Sequence, residues 1–148
     1  MRLPLLTLSL LLAAPAGATA TDLRSVAGMQ FHNRVLLVFA PSLKDPRLAT
    51  QSAVMAKAAL EASNRDLVFV QVAEGRVLGA HDKADSLQRR YHITAPIYRA
   101  FLIGKDGKVA SEANGPVDAT TLMRKIDAMP MRQEELRRAH AGQRKTDR

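Results

Sequence analysis

The sequence predicts an α/β fold in which helices flank a small mixed β-sheet, in the order β-α-β-α-β-β-α. Residues 35–40 and 67–72 are apolar almost throughout, which is typical of strands that are buried on both faces of a parallel sheet. A helical pattern separates the two runs, as in a parallel βαβ unit. Further along, Asp106-Gly107 lies between two extended segments, which indicates an antiparallel hairpin.

The first helix and the segment after the second strand are justified by turn and capping residues. Asp45 is a favoured N-cap and Pro46 suits the first helical position, so we expect a helix from Pro46 to about Ala62. Residues 73–81 are expected to form a loop. Asp82 is expected to cap a second helix. The apolar face of that helix consists of Ala84, Leu87 and Tyr91.

The last third of the chain supplies the hairpin and the closing helix. We expect a third strand over 98–103 and a short antiparallel return strand over 109–113. Asp118 can cap a final helix, and Pro130 is expected to break or kink it. The inward residues of this helix are Leu122, Met123 and Ile126.

The organisation along the chain is one domain between a leader and a tail. Residues 21–135 are expected to form the domain, and residues 136–148 a basic polar tail that is frayed or disordered. Arg2, an apolar run and Ala18-Thr19-Ala20 have the plan of a secretory signal over residues 1–20, with cleavage after Ala20. The apolar run is shorter than the about 20 residues that span a bilayer. We therefore expect an exported protein, periplasmic or secreted, with no transmembrane segment in the mature chain.

Composition excludes several classes of function. The 148 residues contain no cysteine, which excludes disulfides, iron–sulfur clusters, thiolate zinc sites and dithiol redox chemistry. The net charge of +8 favours acidic polymers or anionic surfaces as partners. Nucleic acid is not expected, because the chain is expected to be exported and aromatic residues, which stack on bases, are only 4% of it.

Several segments resemble a known family. The predicted element order is that of the thioredoxin-like fold, and residues 98–109 resemble the late hairpin of peroxiredoxins. The mature chain as a whole, over about residues 23 to 135, resembles the family called domain of unknown function 4174. That family is an exported bacterial thioredoxin-like module with relatives inside larger vertebrate extracellular-matrix proteins. The matching pieces are 34–41, 45–48 with Gln51, 65–67, 102–108 and 126–132.

The resemblance implies a fold without the reaction. In redox members of the superfamily, the loop after the first long strand carries the nucleophilic cysteine; here residues 41–48 contain no thiol. Ser42 is no substitute, because a hydroxyl needs an adjacent base and none is near it in sequence. Arg99 falls where peroxiredoxins place an arginine that helps to activate the thiol. Without a thiol, we expect Arg99 to make a salt bridge or a carbonyl hydrogen bond, or else to contact an anionic ligand.

Other candidate sites have structural explanations beside the functional ones. None of the four histidines is paired at a metal-binding spacing. The best cluster, His81-Asp82 with Asp85, is explained as the start of a helix. The Met129-Pro130-Met131 element is either core packing or an exposed docking site. We therefore predict no catalytic residue, no cofactor and no metal ligand.

Three hypotheses follow for the function. The first is a non-catalytic exported module that binds an envelope or extracellular protein through a thioredoxin-like scaffold. The second is a hydrolase or metal-dependent enzyme with a site near His81 or Arg99. The third is a protein that binds an acidic polymer or a charged surface. The sequence names no ligand for any of them.

Overall fold

The computed structural model describes residues 24–146. The signal and its cleavage point after Ala20 lie outside the described residues and stay predictions. The described chain begins with a lead-in that contains a short 3₁₀ helix, Ala27–Met29, before the first strand.

A five-stranded mixed sheet forms the centre of the molecule. Its order is β3-β2-β1-β4-β5, with β1 parallel to β2 and every other neighbouring pair antiparallel. The parallel pair and the hairpin are therefore as predicted. The strands are β1 Arg34–Phe39, β2 Leu67–Ala73, β3 Arg76–Leu78, β4 Arg99–Ile103 and β5 Val109–Ala113.

Five helices flank this sheet, so the thioredoxin-like architecture expected from the sequence is observed. Asp45 caps the first helix and Asp118 caps the fourth through its bond from the Thr121 N–H, as predicted. Pro130 opens the fifth helix, where its missing N–H costs nothing. The helices are α1 Pro46–Lys57, α2 Ala59–Ser63, α3 Ala84–Arg90, α4 Ala119–Asp127 and α5 Pro130–Thr146.

The central strand β1 is buried along its whole length because helices cover both faces of the sheet. Leu36 and Val38 belong to one apolar cluster, which also holds the inward residues of α1, α2 and α4. Leu37 and Phe39 belong to the other, which holds Val26 of the lead-in and residues of α3. Alternate side chains of β1 thus pack into two apolar clusters, one on each face of the sheet, which explains why the sequence of this strand does not alternate between apolar and polar residues.

The structure differs from the sequence predictions between the first two strands and after β2. The helix expected over 46–62 is two helices, because Ala58 leaves the helical range with a ψ of 20°. The loop expected over 73–81 contains β3, which pairs antiparallel with β2. Glu74 and Gly75 both have positive φ, 51° and 72°, which is the backbone of a tight two-residue hairpin.

Two further expectations are corrected. Asp82 does not cap α3, whose N-cap is Lys83; the Asp82 carboxylate instead accepts the Val26 N–H at 2.8 Å and tethers the lead-in. The tail expected to fray after residue 135 is helical as far as Thr146. Salt bridges from Glu134 to residues three and four positions later, Arg137 and Arg138, support that helix.

A buried ion pair joins the first strand to the last helix. Arg34, at the start of β1, has a side chain with 0% exposure, and it donates to both carboxylate oxygens of Glu135 on α5, at 3.3 and 3.1 Å. Lys105 and Arg132 also contact Glu135, at 2.8 and 3.3 Å. Arg34 also donates to the Arg65 carbonyl, so both of its terminal nitrogens are hydrogen-bonded, while its Nε is buried without a partner among the described residues. The pair with Glu135 joins α5 to the start of β1.

The charge state of Glu135 follows from these neighbours. Burial opposes its ionisation, but the hydrogen bonds from Lys105 and Arg34 outweigh it and lower the pKa of Glu135 from 4.5 to about 2. The ion pair therefore contributes fully above pH 4.5 and is lost as the pH falls towards 2.

Glu135→Gln is expected to lower the free energy of unfolding at pH 7 by about 2 kcal/mol, because it leaves the buried Arg34 without its counter-ion. Urea unfolding followed by circular dichroism measures this. The difference in the free energy of unfolding between Glu135→Gln and wild type should become smaller as the pH falls from 4.5 to 2. The neighbouring control Glu134→Gln, whose partners are exposed arginines, should stay close to wild type; equal losses for both variants would refute the role of the buried pair.

Candidate functional site

The N-terminal end of α1 is occupied by an internal ion pair. The Asp45 carboxylate accepts hydrogen bonds from the backbone N–H, Nε and Nη2 of Arg47, at 2.9, 3.0 and 2.7 Å. The side-chain hydrogen bond from Arg47 is the main reason that the pKa of Asp45 falls to about 2. The N-terminal end of α1 is thus capped and neutralised by the chain itself.

Tyr98 closes this group from the other side. The guanidinium carbon of Arg47 lies 5.1 Å from the centre of the Tyr98 ring, which is a cation–π contact. Burial raises the pKa of Tyr98 to about 12, so its hydroxyl stays protonated at neutral pH. Ser42 accepts the Lys44 N–H at 3.1 Å, and no base among residues 24–146 is hydrogen-bonded to its hydroxyl. None of these side chains is an activated nucleophile.

A cleft of about 330 Å³ lies beside this end of the sheet. The ends of β1 and β2 and the segment 93–97 form its walls. Glu74 is the one ionisable side chain that lines it; the others are apolar or neutral. The cleft has room for a small group or a short peptide, but it lacks the paired acids and bases that catalysis requires.

A larger open cleft, of about 580 Å³, surrounds the predicted site residue Arg99. We call it the Arg99 cleft: its walls are the end of α3, strand β4 and strand β5, and its charged or titratable side chains include Arg90, His92, Arg99 and Glu112. Two arginines therefore face a single carboxylate. The cleft combines positive charge with an apolar floor, which includes Phe101.

Arg99 has only a weak internal partner. Its Nη1 contacts Glu112 Oε2 at 3.4 Å, and the two side chains are 31% and 57% exposed. Its Nε is buried and has no hydrogen-bond partner among the described residues. The expected salt bridge is present, but it leaves part of the guanidinium unsatisfied, so the anion contact stays a prediction.

The histidine in the Arg99 cleft is not the one that the sequence singled out. His81 is exposed, and its backbone N–H donates to the Arg24 carbonyl at 3.1 Å. His92 lies just after α3 with a positive φ of 55° and lines the cleft with Arg99. The sequence places His92 at the end of a predicted helix and favours a structural role for it, but it does not show that His92 and Arg99 line the same cleft. Within residues 24–146, no three histidine or acidic side chains converge as a metal site would require.

The Met129-Pro130-Met131 element combines the two roles considered for it. Met129 packs against the core, whereas Met131 is 39% exposed. Both line a groove of about 280 Å³ beside the β4–β5 hairpin, together with Val109 and Ala110. We call it the Met131 groove. Arg34, Lys105 and Lys108 contribute basic groups to its lining.

Comparison with solved structures identifies the fold as thioredoxin-like. The exposed lipoprotein thioredoxin Etrx1 of Streptococcus pneumoniae is 19% identical, with a TM-score of 0.50 over 72% of this chain and 97% of that one. StoA of Bacillus subtilis is 17% identical, with a TM-score of 0.50 over 70% of this chain and 92% of that one. Each of these alignments covers more than 90% of the solved structure, so the sheet and helices of this chain match nearly the whole of each thioredoxin-like neighbour.

The comparison with family models gives one match. The model described as domain of unknown function (DUF4174) matches residues 25–135. The sequence has no significant match among curated proteins. None of the helices within residues 24–146 has the length and apolar character needed to cross a bilayer.

Asp45→Asn and Asp45→Ala test the closed end of α1. At pH 7 we expect the thermal midpoint to be highest for wild type, lower for Asp45→Asn and lowest for Asp45→Ala. The Asn side chain keeps the helix cap but loses the charge, whereas Ala loses both. The pKa of Asp45 is lowered from 3.8 to about 2, so wild type and Asn should converge as the pH falls through that range.

The matched control for Asp45 is Asp118→Asn, since Asp118 caps α4 with no guanidinium bonded to it. Calorimetry should show a smaller loss there than for Asp45→Asn. If the two substitutions cost the same, the Arg47 pair adds nothing to the cap.

Proposed function

The chain belongs to the domain of unknown function 4174 family, and we propose that this member is an exported, non-catalytic binding module built on a thioredoxin-like scaffold. The observation that carries the proposal is the capped end of α1, where Arg47 is paired with Asp45 and stacks on the Tyr98 ring. The export rests on the predicted signal that ends at Ala20.

The argument against catalysis at this end is chemical. Exchange with a disulfide or a peroxide needs a thiolate, and the sequence has no cysteine. Hydrolysis needs an activated nucleophile or water, and Ser42 lacks a bonded base among residues 24–146. The positive end of the α1 dipole, which lowers the pKa of a thiol in such a position, is already balanced by Asp45.

We place recognition in the Arg99 cleft. A guanidinium presents a planar set of donors that matches a carboxylate or a phosphate in two-pronged geometry. The present partner, Glu112, is more than half exposed and makes one long contact, so its displacement costs little. A ligand carboxylate or phosphate would replace Glu112 at Arg99 and gain the second cation, Arg90.

The partner we propose is an envelope or extracellular protein with an exposed acidic group; an acidic polymer is the alternative. The positive net charge of the chain would draw either of them towards it. Such attraction weakens with added salt, whereas a specific contact at Arg99 depends on a single side chain.

Substitution of Arg99 and Glu112 should move anion affinity in opposite directions. With fluorescein-labelled hexaglutamate as the probe, we expect Arg99→Gln to weaken binding about fivefold or more and Glu112→Gln to strengthen it, because the internal competitor is removed. Fluorescence anisotropy at fixed ionic strength measures both affinities.

Two controls separate the cleft from general charge attraction. Arg124→Gln, an exposed position on α4, makes the same charge change away from the cleft and should leave the affinity close to wild type. A variant that lacks residues 137–148 tests the basic helix α5. If the truncated variant loses binding while Arg99→Gln binds as tightly as wild type, the anion does not bind in the Arg99 cleft, and the acidic polymer is the better candidate for the partner.

A further inference from the structure

Strand β5 forms one edge of the sheet. Within residues 24–146 it pairs only with β4, so one row of its backbone N–H and C=O groups faces outward. Its side chains are mostly small: Val109, Ala110, Ser111, Glu112 and Ala113. It contains no proline and no lysine, the residues that commonly protect an edge strand against pairing.

The two faces of this edge differ in chemistry. Val109 and Glu112 pair with Ile103 and Phe101, so they lie on the face of the sheet that α3 covers, next to the Arg99 cleft. Ser111 pairs with Leu102, which lies on the opposite face.

The Met131 groove lies beside the same strand, and Val109 lines both the groove and the Arg99 cleft. One edge strand is therefore flanked by the Arg99 cleft and by a groove that combines apolar side chains with the charged residues Lys105, Asp106 and Lys108. The groove adjoins the hairpin end of β5, and the cleft extends along its other face.

We propose that β5 accepts an extended segment of a partner polypeptide as a sixth strand. Side chains of an added strand alternate between the two faces of the sheet, so every second one lies on the side of the Arg99 cleft and the others lie on the opposite side. On that opposite side, the residue at the hairpin end of β5 lies beside the Met131 groove. The segment that fits has acidic residues on the first face and apolar residues on the second.

Charge and shape support this occupant. Arg90 and Arg99 provide two positive charges against Glu112, so an acidic side chain fits the cleft better than a basic one. Val109 and Met131 are 46% and 39% exposed, and an apolar side chain in the groove would cover both of them. The small residues of β5 let a neighbouring backbone approach.

A register shift marks the part of the edge that can pair. The ladder between β4 and β5 is irregular between Leu102 and Ile103, which leaves residues 111–113 as the regular part of β5. An added strand would form its backbone hydrogen bonds there and place one end beside the groove. This backbone requirement favours a polypeptide over an acidic polysaccharide, which has no matching row of amides.

The acidic half of this inference rests on the proposed function, whereas the strand pairing does not, and peptides can test the two separately. The first probe is a labelled ten-residue peptide that alternates Glu and Val. The second is the same peptide in which every second backbone nitrogen, on the edge that would hydrogen-bond to β5, is methylated. The third has the same composition with all Glu before all Val. We expect the first to bind at least tenfold more tightly than the other two.

Protein variants and amide exchange complete the test. Met131→Ser should weaken binding of the alternating peptide severalfold, whereas Leu60→Ser, at a more exposed apolar position on α2, should not. On binding, hydrogen exchange should slow at residues 109–113 of the full mature chain.

Each remaining outcome has one meaning. If methylation has no effect while Arg99→Gln still weakens binding, strand addition is wrong and the anion cleft stands. If methylation matters but Arg99→Gln does not, the edge stands and the proposed anion site is wrong. If heparin or polyglutamate binds as tightly as the alternating peptide, strand pairing is wrong. If the protein dimerises through β5 and the peptide does not disrupt the dimer, a second copy of the chain occupies the edge.

Discussion

The buried ion pair between Arg34 and Glu135 is the constraint on which the rest of the structure depends. A guanidinium at the start of the central strand, with no exposed side-chain surface, is tolerable only if a carboxylate reaches it. That carboxylate comes from α5, so the last helix is fixed beneath the sheet. Its first residues, Pro130 and Met131, and the preceding Met129 then lie beside the β4–β5 hairpin and line a groove at the open edge.

The two ends of the sheet therefore have different roles. The charged residues of the segments that resemble the family, among them Arg34, Asp66, Lys105 and Asp127, meet at the start of β1 and form an ion network with α5. They stabilise the fold by joining β1 and the hairpin to α5. At the other end of β1, Asp45 and Arg47 neutralise each other at the N-terminal end of α1. The proposed recognition site is at the side of the sheet, where the Nε of Arg99 is buried without a hydrogen-bond partner among the described residues.

Local signals predicted the features that depend on local chemistry. The apolar runs, the Asp45 and Asp118 caps, the turn at Gly107 and the helix break at Pro130 all follow from residues within a few positions of one another. Strand β3 was missed because it needs a positive φ at Glu74, which the residue type does not announce. The partnership of Arg34 with Glu135, and the meeting of His92 with Arg99, join residues from different elements, and no local pattern encodes them.

The central claim is that this scaffold recognises a partner at the Arg99 side of the sheet and has left its reactive end closed. The most direct measurement is a map of backbone amide shifts by nuclear magnetic resonance during titration with the alternating acidic and apolar peptide. The account predicts shifts that cluster at residues 90–92, 99–101 and 109–113, with residues 41–48 unchanged. Shifts concentrated at residues 41–48, or confined to α5, would contradict it.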